Sequence, residues 1–192
     1  MEKLNTKKKI ILGSKSPRRV DLLKLIGVKF KVEKLDISED YPNSLSPIQT
    51  ALFLSKKKAT AFKIKKDDIL ICADTIVYTN KLVLGKPHTK EDAINMLKEI
   101  SNKRHFVVTG VTMKTIKKEI SFYERTIVYF KKLSEKEIEF YVNNYSPLDK
   151  AGGYGIQDWI GLIGINKISG SFYNVMGLPT LKVYEKLTEL MK

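Results

Sequence analysis

The residues best equipped for chemistry begin at Gly13-Ser14-Lys15-Ser16-Pro17-Arg18-Arg19. An apolar run at residues 10–12 leads into them as a strand, and Ser16 and Pro17 have the N-cap and first-turn chemistry of a helix start. A helix N-terminus presents unpaired N–H groups and the positive end of its dipole, so an anion is stabilised there before any side chain contributes. Arg18 and Arg19 are two of only four arginines in a chain that carries 31 lysines. Guanidinium forks match phosphate geometry in a way ammonium groups do not, and the pair therefore points to phosphate binding. The glycine spacing and Gly-Lys-Ser/Thr ending of a Walker loop are absent. A well-capped surface helix is the bland alternative. It explains Ser16 and Pro17 but leaves both arginines unexplained.

Asp74, with Thr75 beside it, stands at the end of a continuous apolar stretch at residues 69–73 that suits a strand buried on both faces. A carboxylate in that place can hold a hard divalent cation, accept a proton from water, or merely start a turn. Glu39 could supply a second carboxylate, but Asp36 and Asp40 share its acidic loop and are equally available. Lys58 falls beside Ala59 on the otherwise apolar face of a helix, and Lys86 lies between Gly85 and Pro87; in so lysine-rich a chain both also fit a solvated surface. In residues 149–157, three glycines precede Gln157, whose amide can read the donor and acceptor edge of a nucleobase. His88 and His105 are too separated for a metal cluster, and Cys72 reads as a small core residue.

The elements that must position these groups follow from periodicity. A first helix carries Leu22, Leu23, Leu25 and Ile26 and stops at Gly27; a second strand covers residues 30–35, and an acidic, mobile loop covers 36–46. Ser46 and Pro47 open a long amphipathic helix through Phe62, after which Asp67 and Asp68 precede the central strand. Asn80 and Lys81 mark a hairpin. Thr89 caps a helix with Ala93, Met96, Leu97 and Ile100 on its apolar face, and residues 106–130 read as two or three strands in a meander. Ser134 and Glu137 have capping-box spacing for a helix through Val142, ended by Asn143 and Asn144. Val183, Tyr184, Leu187 and Leu190 form the apolar face of a last helix. This pattern predicts an α/β fold: a mixed central sheet flanked by helices with a partly antiparallel β extension.

At 192 residues the chain fits one domain over 1–192, or two small lobes sharing a core, and 43% hydrophobic content excludes intrinsic disorder. No apolar run approaches the length needed to span a bilayer, and no signal peptide is evident, so the expectation is a cytoplasmic protein without a membrane partner. One cysteine excludes an intramolecular disulfide. The formal net charge of +14 raises a second reading, a non-enzymatic nucleic-acid-binding or regulatory protein. The charge is scattered as lysine rather than interleaved as arginine and aromatics, which favours a solvated surface over a nucleic-acid partner.

Taken together, these motifs resemble the Maf family of nucleoside triphosphate pyrophosphatases over nearly the full length. The match covers Ser-x-Ser-Pro-Arg-Arg at residues 14–19, Leu54, Ser55, Lys58 and Ala59, Ala-Asp-Thr at 73–75 and Gly-Lys-Pro at 85–87. Further on it covers the Pro-Leu-Asp-Lys-Ala-Gly-Gly-Tyr-Gly-Ile-Gln segment at 147–157 and the Asn174 to Pro179 segment. The resemblance implies a Maf/inosine triphosphatase-like fold with a cleft between two lobes. It implies hydrolysis of a nucleoside triphosphate to the monophosphate and pyrophosphate with Mg2+ or Mn2+, held by Asp74 and Glu39. It also implies Asp74 as general base, Arg18, Thr75 and Gln157 as determinants of substrate choice, and Ser14, Arg19, Lys58 and Lys86 along the phosphate path. The Tyr-Gly-Ile-Gln form resembles the branch acting on dTTP and UTP. A nucleotide is the implied partner, and a homodimer stays open. The chain departs from the family pattern at Gly13 and Ser55, where alanines are usual, at Asp158 in place of glycine, and at Thr180 in place of an aliphatic residue.

Overall fold

In the computed structural model, which describes residues 8–34 and 36–191, the strands are β1 (Lys9–Gly13), β2 (Phe30–Glu33), β3 (Asp68–Tyr78), β4 (Val83–Leu84), β5 (Arg104–Lys114), β6 (Glu119–Phe130) and β7 (Ile165–Ser169). The helices are α1 (Pro17–Leu25), α2 (Pro47–Ala61), α3 (Lys90–Ile100), α4 (Glu135–Tyr145), α5 (Trp159–Gly164), α6 (Phe172–Met176) and α7 (Thr180–Met191). Two 3-10 turns, Pro147–Asp149 and Ala151–Gly153, follow α4. The strands form one sheet in the order β2-β1-β3-β5-β6-β7, with β4 on β3. β1 runs parallel to β2 and β3, whereas β3 with β4 and β6 with β7 are antiparallel, so the sheet is mixed as the sequence pattern predicts.

The chain divides into two compact units. The first comprises the residues up to Asp74, Thr109–Glu124 and the residues from Gly177 on; the second comprises Thr75–Val108 and Arg125–Met176. In the first unit Ile11, Ala59, Phe62, Leu70 and Cys72 form a buried cluster. A Cβ at Gly13 would lie 2.6 Å from the Cys72 sulfur and 2.8 Å from the Phe62 ring, which accounts for glycine where alanine is usual. Gly110 of β5 lets the α2 backbone approach: a Cβ there would fall 2.4 Å from the Ala51 carbonyl. The Ser55 departure is accommodated by a hydroxyl chain, Ser55 to Thr112 at 3.0 Å and Thr112 to Ser121 at 3.0 Å.

In the second unit Val77, Leu97, Val107, Phe130, Tyr141 and Ile160 belong to one core. His105 is buried there with its Nε2 2.7 Å from the Tyr154 hydroxyl, while its Nδ1 has no hydrogen-bond partner among the described residues. Burial pulls the His105 imidazole down from 6.5 to about 4, so the ring is neutral at ordinary pH.

Several boundaries differ from the sequence expectation. β3 does not end at Asp74 but runs on to Tyr78: it lies beside β5, and after the parallel pairing with β1 ends at Gly13↔Cys72 its last residues, Val77 and Tyr78, pair antiparallel with β4. α4 includes Asn143 and Asn144; the Asn144 amide folds back onto the Phe140 carbonyl at 2.7 Å, and the helix stops at Ser146 in the left-handed region, φ +43°. β2 ends at Glu33 rather than at residue 35: Lys34 is outside the strand, and Leu35 lies outside the described residues. Ser16 occupies the α1 N-cap position without capping through its side chain. The elements α5, β7 and α6 have no counterpart in the periodicity reading, being five or six residues each. No helix among the described residues is long and apolar enough to cross a membrane.

Candidate active site

β1 ends at Gly13 and the chain turns through Ser14 into α1. The Ser14 hydroxyl closes that turn by accepting the Ser16 N–H at 3.1 Å, the local competition with helix that serine offers at such corners. Arg19, one turn into α1, reaches back to Ser14 at 3.4 Å and donates its Nε–H to the Gly177 carbonyl at 2.7 Å. Its guanidinium is thereby fixed from two sides. Desolvation weakens its hold on the proton and Asp74 counters this. Arg18 is half-buried beside it.

On α2, Ser46 forms a capping box with Gln49, and three turns later Lys58 leaves the helix towards β3. Its ammonium contacts Asp74 and Glu39, the latter at 2.8 Å. Asp74 and Lys58 are largely buried, whereas Glu39 is about half exposed. Burial raises the Asp74 carboxyl above the ordinary carboxylate range; Lys58 and Arg19 pull it back and Glu39 adds to the rise. Of the three acidic residues that the sequence left open, Glu39 alone shares the Lys58 ammonium: Asp36 pairs with Lys15 at 2.7 Å, and Asp40 meets the Ser38 hydroxyl.

Two carboxylates gathered on one ammonium show that this position stabilises positive charge. The same pair offers hard oxygen donors of the kind a divalent cation takes. No group of three or more His, Cys, Asp or Glu side chains suited to a metal occurs among the described residues, so phosphate oxygens and water would complete any coordination around Asp74 and Glu39.

Thr75, Lys86 and Gln157 belong to the second unit. Lys86 is exposed in the Gly85-Lys86-Pro87 segment, which the Gly152 N–H anchors by donating to the Gly85 carbonyl at 2.9 Å. Gly152 and Gly153 adopt φ of +74° and +71°, so the 3-10 turn at Ala151–Gly153 depends on glycine. Gln157 is exposed and donates from Nε2 to Asp158 Oδ1 at 3.0 Å. Tyr141, which the sequence reading does not single out, hydrogen-bonds Asp158 at 2.7 Å and receives the Gly155 N–H at 2.9 Å. Its only sequence signal is a place on the apolar face of α4, which says nothing of its hydroxyl.

The model of the Maf-like protein family matches residues 9–190. A dTTP/UTP pyrophosphatase of Phocaeicola vulgatus is 46% identical over 187 residues, 96% of this chain and 97% of that protein. A dTTP/UTP pyrophosphatase of Parabacteroides distasonis is 48% identical over 187 residues, 95% of this chain and 97% of that protein. Among solved structures, a HAM1 protein from Coxiella burnetii shares the fold, with a TM-score of 0.51 at 13% identity over 95% of this chain and 99% of that one. With matches that span almost its whole length in order, the chain belongs to the Maf family.

Proposed function

We propose that the protein hydrolyses nucleoside triphosphates, dTTP and UTP first among them, to the monophosphate and pyrophosphate. The observation that carries this reading is the buried Asp74 carboxylate held by Lys58 beside the Ser14–Arg19 corner, in a chain whose relatives bear the name dTTP/UTP pyrophosphatase. Burial makes Asp74 a better proton acceptor than a surface aspartate, and Lys58 keeps it ionised and oriented. Water attacks the α-phosphorus and yields its proton to Asp74. The bond from the α-phosphorus to the bridging oxygen breaks, and pyrophosphate leaves. Arg18, Arg19, Lys58, Lys86 and the α1 N-terminus offset the triphosphate charge, most strongly as it shifts towards the leaving group. Glu39 and Asp74 are the residues that would hold Mg2+ or Mn2+, which neutralises phosphate oxygens when bound. Thr75 and Gln157 take the nucleoside end in this reading, and the Gln157 amide suits the imide edge of thymine or uracil.

The test is turnover. Purified protein with magnesium should release dTMP and pyrophosphate from dTTP in equal amounts. Release of inorganic phosphate with dTDP, or tight duplex binding without turnover, would refute the proposal.

A further inference from the structure

Asp158 stands at the N-cap position of α5, yet it makes no side-chain cap hydrogen bond. An N-cap aspartate ordinarily accepts from the first-turn N–H groups. Here the carboxylate is engaged elsewhere. Oδ2 accepts the Tyr141 hydroxyl at 2.7 Å, whose oxygen in turn accepts the Gly155 N–H at 2.9 Å, and the Lys150 ammonium lies 3.8 Å away. Oδ1 accepts Gln157 Nε2 at 3.0 Å. Room for the pair comes from Gly155, where a Cβ would fall 2.5 Å from Asp158 Oδ2 and 2.8 Å from Gln157 Nε2.

A carboxylate only accepts, so the Gln157 amide can meet it only nitrogen-first. Turned over, its Oε1 would face Oδ1 with no proton between them. An exposed glutamine is otherwise free to exchange these two orientations. Asp158, itself pinned by Tyr141 and Lys150, removes that freedom.

We propose that Asp158 is a positioning residue that locks the Gln157 amide in one orientation and so sets the choice between imide-type bases and cytosine. The proposal rests on the reading of Gln157 as the residue that meets the base. Thymine and uracil present N3–H as donor beside O4 as acceptor, whereas cytosine presents N3 as acceptor beside N4–H as donor. Donor and acceptor are exchanged between the two. One fixed amide therefore pairs with one class, and the inverted amide pairs with the other.

The test is kcat/KM for dTTP, UTP and CTP with wild type, Asp158→Asn and Asp158→Gly, each checked for folding by thermal melting. In Asp158→Asn the carboxamide oxygen takes the Tyr141 hydroxyl and its nitrogen faces Gln157, which then turns over. The dTTP:CTP ratio should fall about tenfold or more in this variant, and less in Asp158→Gly, which frees the amide without inverting it. A structural role alone would lower every nucleotide alike. A wild type that prefers dTTP and UTP, with both ratios kept within about twofold in the variants, would overturn the lock and leave the function standing. A wild type that uses CTP as well as dTTP would overturn the assignment of Gln157 itself. Should Asp158→Asn not fold, the Asp158→Gly ratio decides.

Discussion

Asp74 is subject to opposing fields. Burial favours its neutral form, while Lys58 and Arg19 favour its charge. As a base it works only when ionised, so kcat/KM should rise with pH through the folded-state pKa of Asp74, which burial places above the ordinary value of 3.8. The acid limb of a pH–rate profile measures this, and a limb at or below 3.8 would count against Asp74 as the base. Asp74→Asn keeps the volume and removes the acceptor; turnover should drop by about a hundredfold or more with melting temperature retained. Arg18→Lys keeps charge but loses the fork, and kcat/KM for dTTP should fall by about tenfold. Ser14, Arg18 and Arg19 were legible as candidates in the sequence because they lie where a strand passes into a helix, and Asp74 because it closes an apolar run, although β3 itself continues to Tyr78. The lock on Gln157 was not, because the Tyr141 hydroxyl that pins it lies 17 residues from Asp158 and sequence spacing does not bring them together.

At the scale of elements, capping chemistry was read well and extents less so. Ser134 completes with Glu137 the reciprocal box that its spacing predicts, and Thr89, expected only as a cap, makes such a box with Asp92 as well. Replacing Thr89 with Ala should cost about 1 kcal/mol in denaturant unfolding. β3 outran its apolar stretch because strand length is set by partners, and the partner of Val77 and Tyr78 is a two-residue strand too short to read from composition. The pairing of β5 with a buried imidazole has a pH signature. His105 has a folded pKa of about 4 against 6.5 unfolded, so between these values the unfolded chain binds the extra proton. Its contribution is complete above 6.5 and is lost as pH falls towards 4, by about 3 kcal/mol at most. Unfolding free energies measured at pH 7 and pH 5 should differ less in His105→Gln than in wild type.

At the scale of the whole molecule, the +14 charge is an excess of lysine scattered along the chain, and some of these lysines pair with acids close in sequence, such as Lys24 with Asp21 and Lys186 with Glu189. Exposed pairs of this kind contribute little. Changing Lys24 and Lys186 to Gln should leave dTTP turnover within about twofold, as assayed at fixed ionic strength. Two small lobes were one of the sequence expectations, but the bounds of the two compact units were not legible, since each is stitched from separated stretches and three strands run through both. That stitching has a consequence for how the protein is made. The guanidinium of Arg19 is fastened to the carbonyl of Gly177, 158 residues later. On a translating ribosome, the corner formed by Ser14 and Arg19 is made well before residue 177 and lacks this anchor until that residue has been added. A nascent chain that stops before residue 177 keeps the Ser14 side of this anchoring and lacks the Gly177 carbonyl. In the proposed triphosphate site this contact therefore forms after most of the secondary structure around it.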